Sequence, residues 1–238
     1  MTTATTFGYR ARTATARCVR TAAIQTRNAV LLGDCIRLMR DLPAASVDFV
    51  LTDPPYLCRY RDRDGRTVLN DADDSWVYPA FAQIHRVLKR DSFCISFYGW
   101  NQADTFVSAW RKAGFYPAGH IVFAKPYSSK SRYLTYRHEC AYLLAKGQPK
   151  LPENPLPDVM PWHYTHNRLH PTQKPVEPLA DLISSFCPEG GLVLDPFCGS
   201  GSTLVAAREC GRDWLGIELD AAHHRTATAR LRTTVPRF

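Results

Sequence analysis

"GLVLDPFCGSGSTLVAAREC" (residues 191–210) combines a predicted strand, an acid, a glycine-rich turn and the beginning of a predicted helix. Gly199 and Gly201 allow the backbone of the turn to approach a ligand closely, and the helix after it offers free N–H groups. About twenty residues further on, "GIELD" places Glu218 at the end of the next strand, where a carboxylate can accept hydrogen bonds from both hydroxyls of a ribose. These features together predict a nucleoside-binding unit.

Apolar runs and segments of helical periodicity alternate along the rest of the chain, which is typical of α/β folds with a mostly parallel sheet. Predicted strands cover 29–33, 47–52, 93–99, 119–125, 139–145, 191–195 and 214–219. Predicted helices cover 35–42, 76–89, 101–113, 176–186, 202–210 and 221–231. The sequence therefore predicts an α/β fold built on a Rossmann-like, seven-stranded, mostly parallel sheet.

Three segments do not fit this pattern. Residues 58–74 contain charges of both signs around a glycine. Two further segments, residues 126–138 and 147–175, are irregular and rich in proline. Proline is too frequent there for a helix, and the apolar spacing is too irregular for a strand. Because long loops in compact domains are usually functional or disordered, we expect inserted loops near 57–75 and 126–170.

The N-terminal segment differs from the remainder in charge. Residues 1–27 contain five arginines and no acidic residue, which predicts a basic, flexible arm. An organellar transit peptide is the alternative, since such peptides are also rich in arginine and poor in acids. Residues 28–238 are long enough, in a chain with 45% hydrophobic residues, to form a single domain around one core.

Composition excludes several classes of protein. The formal net charge of +8 favours a polyanionic partner. No apolar run approaches the roughly 18 residues of a membrane span, and no secretory signal is present, so we expect a cytoplasmic protein. The eight cysteines form no C-x-x-C pair, and His163, His166 and His170 are unevenly spaced, so neither a disulfide framework nor a metal site is expected.

Two motifs carry a resemblance to a known family. "DPPY" (53–56) follows the apolar run "VDFVLT", and "DPFCGSGS" occupies 195–202. Together they resemble the DNA methyltransferases that methylate exocyclic amines. Because 53–56 precedes 195–202, the order resembles that of the permuted β group. The resemblance, over roughly residues 28–220, implies the class I methyltransferase fold, S-adenosylmethionine as cofactor and double-stranded DNA as substrate.

The resemblance also implies which residues bind the cofactor. Asp34 would meet its adenine, Glu218 its ribose, and Lys174, in "HPTQKP", its methionine carboxylate. The implied cofactor residues are Asp34, Cys35, Asp195, Pro196, Phe197, Gly199, Gly201, Ser202, Thr203, Glu218, His170, Thr172, Gln173 and Lys174.

The chemistry of amine methylation explains the motif Asp53, Pro54, Pro55 and Tyr56. An exocyclic amine is a poor nucleophile because its lone pair is delocalised into the ring. If Asp53 and the Pro54 carbonyl each accept one N–H bond, the lone pair turns toward the methyl group, and the prolines keep the turn stiff. Tyr56 would stack on a base that has left the double helix.

The substrate base is predicted less directly. Asp in the first motif position is usual for N6-adenine enzymes and Ser for N4-cytosine enzymes, so adenine is favoured and cytosine is the alternative. RNA or protein glutamine methyltransferases, with a similar tetrapeptide that generally follows the cofactor turn, and an inactive nucleic-acid-binding module are further alternatives. Methylation at cytosine C5 uses a Pro-Cys nucleophile, and the chain has no Pro-Cys dipeptide.

Basic and aromatic residues in the irregular segments are candidates for DNA contact, because arginine and lysine hold phosphates and aromatic rings stack on bases. The candidates are Arg59, Arg61, Lys130, Arg132, Tyr133 and Arg137. Since dimers are common in the β group, the resemblance also allows a homodimer. His223 and His224 are expected to be solvated helix residues.

Overall fold

The computed structural model describes residues 27–61, 65–129, 133–165, 169–170 and 172–234. The predicted basic arm, apart from its last residue, lies outside the described residues, as do Lys130 and Arg132. In chain order the elements are β1 (Ala29–Leu32), α1 (Cys35–Arg40), β2 (Phe49–Thr52), α2 (Val77–Val87), β3 (Ser92–Phe97), α3 (Ala103–Ala113), β4 (Tyr116–Ser129), β5 (Tyr136–Lys146), β6 (Val159–Pro161), α4 (Val176–Phe186), β7 (Leu192–Asp195), α5 (Ser202–Glu209), β8 (Asp213–Glu218) and α6 (Ala221–Thr233).

The strands form one sheet in the order β1-β8-β7-β2-β3-β5-β4-β6. Strands β1, β8, β7, β2 and β3 are parallel to one another, whereas β5 is antiparallel to both β3 and β4. The predicted mostly parallel α/β fold is therefore confirmed. Strand β2, which ends at the "DPPY" motif, lies directly beside β7, which ends at the glycine-rich turn.

The predicted number of strands is wrong, because the sheet has an eighth strand, β6, inside a segment predicted to be irregular. Strand β6 has only three residues and pairs with β4 at the edge of the sheet. Its last residue is Pro161, which an edge strand tolerates because one side of the strand needs no ladder hydrogen bonds. A strand this short carries no readable alternation of apolar and polar residues.

The hairpin of β4 and β5 is also longer than predicted. Strand β4 continues to Ser129 and β5 begins at Tyr136, so most of 126–138 is strand and not loop. The pairing shifts register between Ala124 and Ser129. Pro126, which has no N–H to donate, lies within this irregularity, where a missing ladder bond is tolerated.

Helices cover both faces of the sheet and bury an apolar cluster on each side. On one face, α2 contributes a buried stripe at helical spacing that includes Phe81 and Ile84, packed beside Trp110 of α3. On the other, Leu182 of α4 and Ala206 of α5 are buried. Within the described part of the chain, no helix has the length and apolarity needed to cross a membrane.

Candidate functional site

A cavity of about 230 Å³ opens where β1, β2, β7 and β8 end. Because these strands are parallel, their carboxyl ends meet at one edge of the sheet, which is where α/β folds bind ligands. All four predicted catalytic residues line the cavity, and so does every predicted cofactor residue except Gly201. The structure thus brings together two motifs that are far apart in the sequence.

The glycine-rich turn is held against the end of β8 by the carboxylate of Glu218. Oε2 of Glu218 accepts a hydrogen bond of 2.7 Å from the N–H of Gly199, and Oε1 accepts one of 2.7 Å from the N–H of Asp220. Gly199 and Gly201 have φ angles of 52° and 80°, in the left-handed region that favours glycine. Gly201, the residue that precedes α5, does not line the cavity, and a Cβ atom added to it would lie 3.1 Å from the Cβ of Ala227 of α6. Each oxygen of Glu218 keeps a lone pair for a further donor.

Asp195 joins the two motifs through a hydrogen bond between neighbouring strands. Its Oδ1 accepts a bond of 3.0 Å from the hydroxyl of Thr52, at the end of β2, and one of 3.1 Å from the N–H of Phe197. Asp195 is buried, and burial raises the pKa of its carboxyl from 3.8 to about 7. The end of β2, which leads into the "DPPY" motif, is thereby fixed relative to the glycine-rich turn.

An Asp195→Asn variant is expected to differ from the wild type in the pH dependence of its stability. The folded state holds the Asp195 proton up to about pH 7, whereas the unfolded chain releases it near 3.8. The stabilisation from this carboxyl is therefore complete below the unfolded pKa and is lost as the pH rises through the folded pKa. The wild type should lose up to about 1.4 kcal/mol per pH unit relative to the variant within this window. Urea unfolding of both proteins across the window measures this, and parallel pH profiles would contradict it.

The carboxylate of Asp53 is held on both oxygens. The hydroxyl of Tyr56 donates to Oδ1 at 2.8 Å, and the ammonium of Lys174 lies 2.9 Å from Oδ2. Lys174 also donates to the hydroxyl oxygen of Tyr56 at 3.1 Å, and its nitrogen lies 5.1 Å from the centre of the Tyr56 ring and 5.2 Å from that of Phe97. Asp53 and Tyr56 are thus locked into one arrangement by a single buried cation.

A second ion pair lies behind the first. The ammonium of Lys125, on β4, donates to Glu139, on β5, at 2.9 Å. Burial would raise the pKa of Glu139, but Lys174 and Lys125 outweigh burial and lower it. Burial would likewise lower the pKa of Lys174, but Asp53 and Glu139 raise it. Burial raises the pKa of Asp53, and the charge of Glu139 adds to the rise. Two carboxylates therefore share Lys174, and Asp53 is the one more easily protonated.

Sequence reasoning missed this network. The predicted contact of Lys174 with a methionine carboxylate stays a prediction, and the structure shows its ammonium bound to Asp53 and Tyr56. Glu139 was not predicted as a site residue and Lys125 was considered only for contact with DNA phosphates, although each is a charged residue at the boundary of a predicted strand. A charge that points inward from a strand is the signal that could have identified them.

The segment after the catalytic turn closes one side of the cavity. Val68, Leu69 and Asn70 line it, although the loop was predicted for DNA contact. Asp71 is buried and its carboxylate accepts hydrogen bonds from the N–H groups of Cys58 at 3.3 Å and Tyr60 at 2.5 Å. The loop is therefore folded back on itself by one acid, and the predicted contact with DNA stays a prediction.

Two histidines meet at the rim of the cavity. The ring of His170 lies 4.3 Å from that of His223, measured between centroids, and both residues line the cavity. Burial lowers the pKa of His170 to about 3, so its ring is neutral at neutral pH. His223 and His224 were expected to be solvated, and both are only half-buried: His223 contacts the His170 ring, and His224 forms a 3.0 Å hydrogen bond with the carbonyl of Val30.

The described candidates for DNA contact lie outside the cavity. Arg59, Arg61, Tyr133 and Arg137 are exposed, and Tyr133 keeps 89% of its surface accessible. Nothing in this arrangement tests their role, so contact with DNA stays a prediction for each of them.

Comparison with known proteins gives the family. A family model described as DNA methylase matches residues 47–229. A protein of Escherichia coli (strain K12) named "Putative methylase YubD" is 56% identical over 199 residues, which cover 84% of this chain and 88% of that protein. A second protein of the same organism, DNA adenine methyltransferase YhdJ, is 25% identical over 244 residues, with 85% of this chain and 82% of the relative covered.

Two solved structures show the same fold. The M1.HpyAVI–SAM complex has a TM-score of 0.68 at 21% identity, with 85% of this chain and 98% of that chain covered. The PvuII DNA methyltransferase, which is cytosine-N4-specific, has a TM-score of 0.70 at 15% identity, with 88% and 87% covered. The predicted class I methyltransferase fold is confirmed by these likenesses. Since the family model spans most of the chain, this protein belongs to the N6/N4 DNA methylase family.

Proposed function

We propose that this protein transfers the methyl group of S-adenosylmethionine to the exocyclic N6 amine of an adenine that has left double-stranded DNA. One observation carries the proposal: a single cavity is lined both by Asp53 and Tyr56 and by the glycine-rich turn with Glu218. A nucleoside-binding turn and an acceptor for an amine therefore face the same space. The family match, whose model is described as DNA methylase, supports DNA as the substrate.

The residues at one end of the cavity fit the nucleoside part of the cofactor. Glu218, fixed by two backbone N–H groups, would accept hydrogen bonds from the ribose hydroxyls. Asp34 caps α1 by accepting the N–H of Arg37 on Oδ1 at 2.8 Å, which leaves Oδ2 for the adenine amine. A side chain at Gly199 would begin 3.4 Å from the His170 ring and narrow the space beside the turn. Because 3.4 Å is an ordinary contact distance, glycine is favoured at this position mainly by its left-handed φ of 52°.

The residues at the other end fit the target amine. When bound, S-adenosylmethionine supplies an electrophilic methyl group on a cationic sulfur. Asp53 accepts one N–H of the amine and the carbonyl of Pro54 accepts the other, which directs the nitrogen lone pair at the methyl carbon. The nitrogen–carbon bond forms as the sulfur–carbon bond breaks, and the methylated nitrogen releases one proton to solvent. Catalysis consists of positioning and of stabilising charge, with no covalent intermediate.

Lys174 favours the charged form of the acceptor in this scheme. A carboxylate with as little solvent contact as Asp53 is favoured in its neutral form by burial, and the neutral form would present one oxygen as a donor. The ammonium 2.9 Å away opposes that shift. Tyr56, held by the same ammonium, offers its ring to the extruded base. We assign Lys174 a positioning role and Asp53 the contact with the reacting amine.

N4 of cytosine is the second candidate for the acceptor. The Asp at the first motif position and the relative described as a DNA adenine methyltransferase favour adenine. The likeness to the cytosine-N4-specific PvuII enzyme keeps cytosine open, because both amines present the same pair of N–H donors to Asp53 and Pro54.

Identification of the labelled nucleoside tests the proposal. The purified protein is incubated with tritiated S-adenosylmethionine and mixed-sequence duplex DNA, and the DNA is then digested to nucleosides. We expect label in N6-methyladenine. Label in N4-methylcytosine would keep the mechanism and overturn the choice of base. Label in RNA or protein offered in parallel reactions, with none in DNA, would overturn the substrate. An Asp53→Ala variant assayed in parallel controls for contaminating enzymes.

A further inference from the structure

Trp100 is unusual among the tryptophans of this protein. Its side chain is 62% exposed, whereas the other four tryptophans, all described, are 8% exposed or less. Trp100 begins the short 3₁₀ turn that follows β3 and leads into α3. An exposed indole at this position is not needed to fill either apolar core.

The position of Trp100 is fixed by the catalytic turn. A Cβ atom added to Gly99 would lie 2.8 Å from the carbonyl oxygen and 2.9 Å from the Cβ of Tyr56. Only glycine therefore allows this close approach of β3 to the turn that carries Asp53. The residue after Gly99 is thereby placed at the carboxyl edge of the sheet, next to the "DPPY" motif.

A second ring supports the indole from the neighbouring strand. Tyr136, the first residue of β5, faces Trp100 with ring centroids 5.6 Å apart and an angle of 31° between the planes. Because β5 is antiparallel to β3, it begins at the edge where β3 ends. Arg137, which follows Tyr136, is exposed. Two tilted aromatic rings therefore lie together at this edge of the sheet, and Arg137 adds an exposed cation to the same strand end.

We propose that Trp100, supported by Tyr136, stacks on a nucleobase of the DNA adjacent to the target base. This inference rests on the proposed function, because it requires DNA to lie across the edge of the sheet that carries Asp53. Nucleobases stack on aromatic side chains irrespective of their sequence, and a nearby arginine can hold the phosphate between two bases. The rings of Trp100 and Tyr136 would contact a base outside the cavity, while Tyr56 contacts the base that is extruded into it.

Tryptophan fluorescence tests this directly, since Trp100 contributes the red-shifted emission expected of an exposed indole. Duplex DNA is added to the wild type, to Trp100→Phe and to Trp100→Ala, in the presence of S-adenosylhomocysteine so that no transfer occurs. We expect DNA to quench the red-shifted emission of the wild type and to leave the emission of Trp100→Phe nearly unchanged. Trp100→Ala should bind DNA roughly 10-fold to 100-fold more weakly by fluorescence anisotropy of a labelled duplex, with unchanged affinity for the cofactor product.

Tyr116→Ala is the matched control, because Tyr116 is 69% exposed and begins β4 at the opposite edge of the sheet. Its DNA affinity should equal that of the wild type. Wild-type affinity in Trp100→Ala, or equal quenching in Trp100→Phe, would overturn the stacking proposal. So would a wild-type dimer that becomes monomeric in Trp100→Ala, since the ring would then contact a second copy. Quenching by DNA in a protein that methylates no DNA would support the stacking and overturn only the proposed function.

Discussion

The Asp53→Ala variant is expected to bind S-adenosylmethionine within a few-fold of the wild-type affinity and to transfer methyl groups at least roughly 10²-fold to 10³-fold more slowly. The reason is that the amine loses the acceptor that directs its lone pair, while the glycine-rich turn and Glu218 are untouched. Single-turnover rates with DNA in excess, together with calorimetric titration of the cofactor, separate the two effects.

The stability of Asp53→Ala has to be measured as well, because this variant removes one partner of the buried Lys174 ammonium. Removing one member of a buried pair can cost about 3–5 kcal/mol. Asp53→Asn keeps an oxygen for Tyr56 and should show the same loss of rate with a smaller loss of stability.

Asp48→Ala is the matched control for the effect of removing an acid on stability. Asp48 precedes β2 at the other end of the strand, where it pairs with Lys89 at 2.6 Å and accepts the N–H of Leu192 at 2.9 Å. Its loss should lower stability and leave the transfer rate of the folded protein unchanged. If Asp53→Ala and Asp53→Asn lose cofactor binding and folding together, Asp53 is a structural residue and the mechanism is wrong.

The Glu218→Ala variant is expected to bind S-adenosylmethionine at least about 10-fold more weakly, since each hydrogen bond to a charged acceptor contributes about 1.5–3 kcal/mol. Its affinity for DNA should change little. Glu177→Ala, which removes an exposed acid from the first turn of α4, is the control and should bind the cofactor normally.

A cofactor analogue distinguishes direct contact from support of the turn. Glu218 also holds the N–H groups of Gly199 and Asp220, so its removal could loosen the turn without any lost contact to the ribose. The wild type should bind a 2′-deoxy analogue more weakly than the cofactor itself, and Glu218→Ala should lose most of that difference. An undiminished preference for the hydroxyl in the variant would refute the ribose contact.

The regular part of the fold could be predicted because its strands and helices are long enough to show their periodicity. The same pattern placed Asp53, Asp195 and Glu218 at strand ends, and parallel pairing then brings such ends together. Strand β6 was missed because its three residues end in a proline and are ordered only by pairing with β4. Such a strand forms through tertiary pairing, and its own short sequence gives no pattern from which it could be predicted.

Which residues belong to the site could be predicted more easily than which of them contact one another. Motifs identified Lys174 and Asp53 separately, but their ion pair joins residues far apart in the chain and depends on how α4 packs beside the sheet. Glu139 and Lys125 lie at the boundaries of the predicted strands 139–145 and 119–125, and a charge at a strand boundary is usually interpreted as solvated. The burial that makes them partners exists only after β5 has paired with both β3 and β4.

Strand β1 has consequences for the order in which the protein can be assembled during synthesis. Residues Ala29 to Leu32 pair with Leu215 to Glu218, and among the strands of the described residues β8 is the only neighbour of β1. Strand β1 therefore leaves the ribosome long before β8 has been synthesised. Until β8 is in place, the edge of β7 that pairs with β8 is also open. Closing so large a loop is slow, so chaperones would meet a chain that already carries its catalytic turn but lacks the strand that completes the sheet.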